Sequence, residues 1–217
     1  MDIINSHTSS PEMQDNNPQI ASSEAAANEL GRLKETALAC RNCPLKEGRQ
    51  QVVFGTGNHN TRLMFIGEGP GGDEDRQGEP FVGRAGQLLN KILKAAEISR
   101  EEVYITNVVK CRPPNNRLPV QSEIEACMPY LLKQIDLIDP DIIVCLGSLA
   151  TKSLIDKHAS ITRFRGSWRR IGKRLFMATF HPAALLRDPG KKKFVWQDIQ
   201  EVVKVYHKPG NGGVANE

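Results

Sequence analysis

The chain has 217 residues, of which 39% are hydrophobic and 25% charged, with a formal net charge of +4 and an isoelectric point near 8.8. This is the profile of a globular chain with one core and a mild basic bias, which admits a nucleic-acid partner without requiring one. No apolar run approaches the ~18 residues of a membrane span, and MDIINSHTSS has neither the basic start nor the apolar segment of a secretory leader, so no membrane contact and a cytoplasmic, reducing location are expected.

Residues 1–22 are rich in Asn, Ser, Gln and Pro and predict a disordered tail, because they cannot bury enough surface to offset ordering entropy. Residues 207–217 read the same way, which leaves 23–206 as the folded domain. Within it, 63–66 (LMFI) is a short buried strand, and Leu88, Leu89, Ile92, Leu93 and Ala96 follow at helical spacing. Residues 103–105 (VYI) are the next strand. Ile124, Leu131, Leu132 and Ile135 predict one or two helices, with Pro129 as a start or kink. A third strand covers 141–146 (DIIVCL) up to Gly147, and a helix runs through Leu149 to Ile155. The fourth strand is 175–179 (LFMAT), and Val195, Ile199, Val202, Val203 and Tyr206 mark one face of a last helix. Strands alternating with helices predict an α/β fold, a mainly parallel four-stranded sheet with helices on both faces. Ligands bind such sheets at the carboxyl ends of the strands, and the unusual loops, 67–86, 107–119 and 181–187, all follow strands.

Cys40 and Cys43 form a C-x2-C pair before Pro44, and Cys111 and Cys127 lie far downstream with fifteen residues between them. In a reducing compartment, cysteines read as metal ligands or core thiols rather than disulfides. Four thiolates suit a tetrahedral zinc or an iron–sulfur cluster. The wide second spacing leans towards a cluster, and Cys111 and Cys127 as unligated core thiols is the alternative. Cys145, inside an apolar strand, is a core residue.

The loop Gly67-Glu68-Gly69-Pro70-Gly71-Gly72-Asp73-Glu74-Asp75 lets backbone approach a ligand closely. Its acids and the missing Lys-Ser/Thr ending argue against a phosphate loop. Phe81, between Pro80 and Gly83, is either a stacking surface for a planar ligand or a plug in the core. Asn107, at a strand end, is either a reader of a ligand edge or a turn former. His181, after the fourth strand, is either a donor to a developing anion or a helix cap.

Together, Cys40-x2-Cys43-Pro44, GEGPGGDED, GEPFVGRAG, TNVVKCRPP, Cys127 and HPAALLR resemble the family 4 uracil-DNA glycosylases, in that family's order and over roughly residues 37 to 206. The resemblance implies an α/β/α sandwich and a [4Fe–4S] cluster on Cys40, Cys43, Cys111 and Cys127. It also implies a uracil pocket formed by Gly67, Glu68, Gly69, Phe81, Asn107 and His181, and an expected monomer acting on single- or double-stranded uracil-containing DNA. Phe81 would stack on flipped-out uracil, and one Asn107 amide would donate to O4 and accept from N3–H, a pattern that cytosine reverses. His181 would donate to O2 as the N-glycosidic bond breaks, helped by backbone N–H groups of 67–69.

Other uracil glycosylases carry an aspartate at the position of Gly69. With none here, Glu68 and Asp75 are the candidate carboxylates for the attacking water, and Glu74 could crowd the uracil C5 position. Relatives that bond covalently to DNA carry an inserted basic loop with a histidine near the third cysteine. Residues 111–117 (CRPPNNR) have none, so a free abasic product is expected. Arg163, Arg165, Arg169, Arg170, Lys173 and Arg174, with Trp168 among them, and Lys191 to Lys193 are candidate phosphate contacts. Leu185 and Arg187 are candidate wedges for the gap left by a flipped base. A non-enzymatic cluster-bearing DNA-binding module and a phosphate-handling nucleotide enzyme are the competing readings.

Overall fold

The computed structural model describes residues 18–208, with side chains from residue 24. The tail expectations for 1–17 and 209–217 lie outside the described residues. Residues 18–22 open helix α1 (Pro18–Leu38), which the hydrophobic periodicity does not announce. This segment is rich in alanine and other good helix formers, and it buries only a narrow stripe that includes Leu30 and Ala37. Strand β1 is Thr56–Gly57 and β2 is Leu63–Gly67. Helices α2 (Gly72–Gln77) and α3 (Arg84–Ala95) lead to β3 (Tyr104–Asn107). Then come α4 (Gln121–Ile138), β4 (Ile142–Leu146), α5 (Ser148–Leu154) and α6 (Ile161–Phe164). The chain closes with β5 (Trp168–Ile171), β6 (Arg174–Thr179), α7 (Pro182–Arg187) and α8 (Lys192–Tyr206). Pro129 neither starts nor breaks α4, which runs through it as one helix, and Leu132 is exposed.

The expected four-stranded sheet is corrected to a mixed sheet of six strands among the described residues, in the order β1-β3-β2-β4-β6-β5. The four expected strands are its parallel centre, and β1 and β5 pair antiparallel at the two edges. Both edge strands escape a hydrophobic pattern for physical reasons. β1 has two residues, and β5, WRRI, keeps its last three side chains in solvent, where an edge gains from charge.

Alternate residues of the central strands feed two cores, as the period of two requires. Met64, Ile66, Ile143 and Cys145 pack with Leu30, Leu131 and Ile135 from α1 and α4. Leu63, Phe65, Ile142 and Val144 pack on the other face with Leu89 and Leu93 of α3 and Ile199 and Val202 of α8. Each such fully buried side chain stabilises the fold by roughly 1.5–3 kcal/mol. The register brings Gly67 level with Asn107 on neighbouring strands. It also brings the N–H of Gly147 onto the carbonyl of Thr179 at 2.8 Å. The carboxyl ends of all four central strands therefore open on one rim. Among the described residues no helix is long and apolar enough to cross a membrane.

Candidate active site

On that rim lies a cleft of about 460 Å³ lined by Glu68, Gly69, Glu74, Phe81, Asn107 and His181, with Pro113, Leu118 and Arg187 among its further walls. The side chain of Asn107 is buried, and its Oδ1 has no hydrogen-bond partner among the described residues. An orphan acceptor of this kind costs about 1–3 kcal/mol, a cost that a hydrogen-bond donor reaching it would relieve. Gly67 does not itself line the cleft. A Cβ built there would sit 2.4 Å from Asn107 Oδ1 and 2.5 Å from the Phe81 ring. The missing side chain is what lets these two groups converge.

Phe81 plugs the core, as one of its two readings has it, and also lines the cleft. Its ring faces His181 at 5.5 Å between centroids. Its backbone is left-handed, φ 55°, a conformation costing an L-residue of this size roughly 1–2 kcal/mol. Glu74 holds the turn in place. One carboxylate oxygen accepts from Val82 N at 3.0 Å and Gly83 N at 2.9 Å, and the other from Gly71 N at 3.1 Å. A single acid thus caps the start of α2 and of α3. This is a firmer role than crowding a base at C5, because both of its oxygens are already engaged.

His181 is half-buried at the N-terminus of α7, and its Nδ1 accepts from Ala183 N at 3.1 Å. An accepting Nδ1 leaves the proton on Nε2. Burial, with a smaller contribution from Arg187, pushes the imidazole down to about 4, so at neutral pH it is an uncharged N–H donor. Gly147, noted in the sequence only as the end of a strand, has φ +92°, and a Cβ there would lie 2.9 Å from His181 Cβ. The capping reading of His181 is seen at Nδ1, in a bond that does not engage Nε2.

The carboxylate candidates separate. Asp75 is buried away from the cleft, with Oδ1 accepting from Gln50 N at 2.9 Å and Gln51 N at 3.4 Å. Its catalytic assignment is corrected: it ties the segment after the cysteine pair to α2. Glu68 lines the cleft, and burial raises its carboxyl above the ordinary value, partly offset by Arg187. At Gly69, a Cβ would meet Val109 Cγ2 at 2.7 Å, so a longer acid there would have to displace Val109. The far wall, Pro113 to Pro119, is pinned by Arg117. Its guanidinium grips the buried Glu123 through two bonds of 2.7 and 2.8 Å, a bidentate geometry that fixes orientation as well as adding energy.

Cys40, Cys43, Cys111 and Cys127 line a second, separate pocket beneath Asn107's strand. Among the described residues no His, Cys, Asp or Glu group of three or more is gathered tightly enough for a single metal ion. Arg49 Nη1 donates to Cys111 Sγ at 3.1 Å, and Lys110 N donates to Cys127 Sγ at 3.2 Å. Burial pushes the Cys127 thiol up to about 11. Cys145 is fully buried in β4, as its apolar neighbours require.

The basic runs are partly structural. Arg165 pairs with the buried Asp198, and Lys173 and Arg174 pair with Asp139. The last two stand at the amino end of β6, across the sheet from the cleft. Leu185 is buried, which removes it as a wedge, whereas Leu186 beside it is 41% exposed.

The uracil DNA glycosylase superfamily model matches residues 54–200. A type-4 uracil-DNA glycosylase of Thermotoga maritima is 47% identical over 184 residues, covering 82% of this chain and 95% of that protein. Type-4 enzymes of Sulfurisphaera tokodaii and Archaeoglobus fulgidus are 44% and 42% identical, covering 80% and 76% of this chain and 83% and 87% of theirs. With a family model spanning the cleft and relatives of this similarity over nearly their whole length, the chain belongs to the uracil DNA glycosylase superfamily and, within it, to the type-4 uracil-DNA glycosylases.

Proposed function

We propose that the cleft accepts a flipped-out uracil from DNA and hydrolyses its N-glycosidic bond, leaving an abasic site. The observation that carries this reading is the pairing of a buried orphan acceptor with a neutral imidazole donor on one rim, Asn107 Oδ1 and His181 Nε2. Uracil N3–H meets Oδ1, and O4 meets the amide nitrogen of the same side chain. Cytosine would face donor with donor and leave buried groups unpaired. Phe81 supplies the stacking face, worth roughly 1–3 kcal/mol per base. As the glycosidic bond breaks, its electron pair goes to the base and charge gathers on O2. His181 Nε2–H stabilises that charge without a change of protonation state. A donor of this kind contributes about 10²–10³ in rate. The water that adds to C1′ is positioned by Glu68, the cleft carboxylate left after Asp75 is set aside and Glu74 is committed to backbone amides.

Cys40, Cys43, Cys111 and Cys127 would hold a [4Fe–4S] cluster in this reading, which would supply positive charge to offset the thiolates. Through these cysteines the segments after α1 and after β3 would be tied to α4. DNA approaches over α3 and α7, where Arg84, Lys91 and Lys192 line a groove of about 270 Å³ with Leu186 on its wall. These cations take flanking phosphates, and Leu186 replaces Leu185 as the wedge.

Asn107→Ala and His181→Ala test the reading against the binding-module alternative. Both variants should bind DNA carrying a tetrahydrofuran abasic analogue as the parent does while losing single-turnover excision. Excision unchanged in both would refute the site.

A further inference from the structure

Because Asn107 Oδ1 has no partner of its own, the orientation of that amide depends on what grips its main chain. The carbonyl of Asn107 accepts from Lys110 Nζ at 2.8 Å. Lys110 is 2% exposed, and the same nitrogen lies 2.7 Å from Thr106 Oγ1 and 2.5 Å from Gln134 Oε1. One buried amino group thus meets three acceptors. Gln134, from α4, donates in turn to Phe54 O and Tyr104 Oη, each at 3.0 Å, and Thr106 Oγ1 donates to Phe54 O at 2.8 Å. The end of β3, α4 and the segment before β1 are therefore knotted at one nitrogen. The same residue's backbone N–H donates to Cys127 Sγ. Lys110 thus touches the cysteine site with its main chain and the cleft's base-reading residue with its side chain. Burying an amino group this deeply costs free energy that only its hydrogen bonds offset, so those bonds rather than packing account for it.

We propose that Lys110 is a positioning residue for base recognition, fixing the main chain of Asn107 so that its amide faces the base, and registering that amide against the cysteine site. The proposal rests on the reading of Asn107 as the group that contacts uracil.

The test is Lys110→Met in the full chain, alone and combined with Asn107→Ala. It reads single-turnover excision at saturating uracil-DNA, affinity for tetrahydrofuran DNA, and iron and sulfide per chain. A slightly misplaced amide should slow excision by roughly 10–100-fold, with abasic-analogue affinity and iron content unchanged. In the Asn107→Ala background the substitution should cost nothing further, because its effect passes through that side chain. An unchanged rate per folded molecule, losses that multiply in the double variant, or a matching loss of iron would each overturn the proposal. Should Lys110→Met fail to fold, Thr106→Val decides. It removes one acceptor and should give a smaller loss that again vanishes without the Asn107 amide; no loss overturns the proposal. Full excision by Asn107→Ala alone would sink the uracil reading and this proposal with it, whereas a slow Asn107→Ala beside a normal Lys110→Met sinks only this one.

Discussion

Replacing Gly147 by alanine puts the smallest possible perturbation against the donor histidine. The new Cβ would stand 2.9 Å from His181 Cβ, where carbon atoms in contact settle at about 3.5–4.0 Å. His181 must therefore retreat by roughly 0.6–1.1 Å, or the backbone at 147 must give. The residue also sits at φ +92°, ψ 178°, a region essentially confined to glycine, so alanine carries an added strain on the order of 1–3 kcal/mol. A displacement near 1 Å in a catalytic group costs about 10²-fold in rate, and the cation-free imidazole has no long-range charge with which to compensate. The assay is single-turnover excision from a uracil-containing strand at saturating enzyme, beside binding to a tetrahydrofuran strand and thermal melting. The expected result is a rate lower by about two decades with abasic-analogue binding retained and a modest loss of stability. A variant that melts earlier but excises at the parent rate would refute the claim that His181's placement controls the chemistry.

Other outcomes follow from the same geometry. Burial raises the carboxyl of Glu68 and holds the His181 imidazole down at about 4. Falling pH should therefore remove activity first through protonation of Glu68, while His181 stays neutral. Glu68→Gln should lower single-turnover excision and flatten that acid limb, and a parent-like limb in the variant would contradict the assignment. The lowered imidazole also predicts a stability contribution present above its unfolded value near 6.5 and lost as pH falls through about 4, which thermal melts of the parent and His181→Ala across that window would reveal. Changing Arg84, Lys91 and Lys192 together to Gln should weaken DNA binding regardless of sequence and flatten its salt dependence by about 0.7–0.9 per lost phosphate contact. An unchanged slope would move the DNA path elsewhere. Cys43→Ala should abolish iron binding and loosen the end of α1, read by proteolysis within 24–40; an intact helix without iron would deny the cysteine site its tethering role.

Much of the fold and part of the site can be read from the residues alone, and the division has physical causes. The four central strands show because each is buried on both faces and carries a short apolar run. β5 stays hidden because its last three side chains, Arg169, Arg170 and Ile171, remain in solvent, and α1 because a helix that buries one thin stripe leaves little periodic signal. Asn107 and His181 are legible as polar residues at strand ends, where an α/β sheet binds ligands, and Phe81 as an aromatic in a loop between Pro80 and Gly83. Asp75 misleads for the same reason: it lies in the right loop, but the helix that starts at Gly72 turns it onto the amides of Gln50 and Gln51. Leu185 and Leu186 differ by one residue and by which side of a helix faces the core, so no sequence pattern as short as α7 separates them. Gly147 touches His181, 34 residues away in the chain, and Lys110 links Asn107, three residues away, to Gln134, 24 residues away. Their roles are contacts, and contacts are written in the fold.

Excision of uracil by this cleft is tested most directly by incubating the protein with otherwise identical strands carrying uracil, cytosine, thymine or hypoxanthine at one position. Alkali cleavage of abasic sites and mass detection of the released base are the readouts. The predicted result is free uracil and an alkali-labile site from the uracil strand, none from cytosine, and no DNA adduct surviving denaturing gels. Tight binding of the uracil strand with no base released would contradict it.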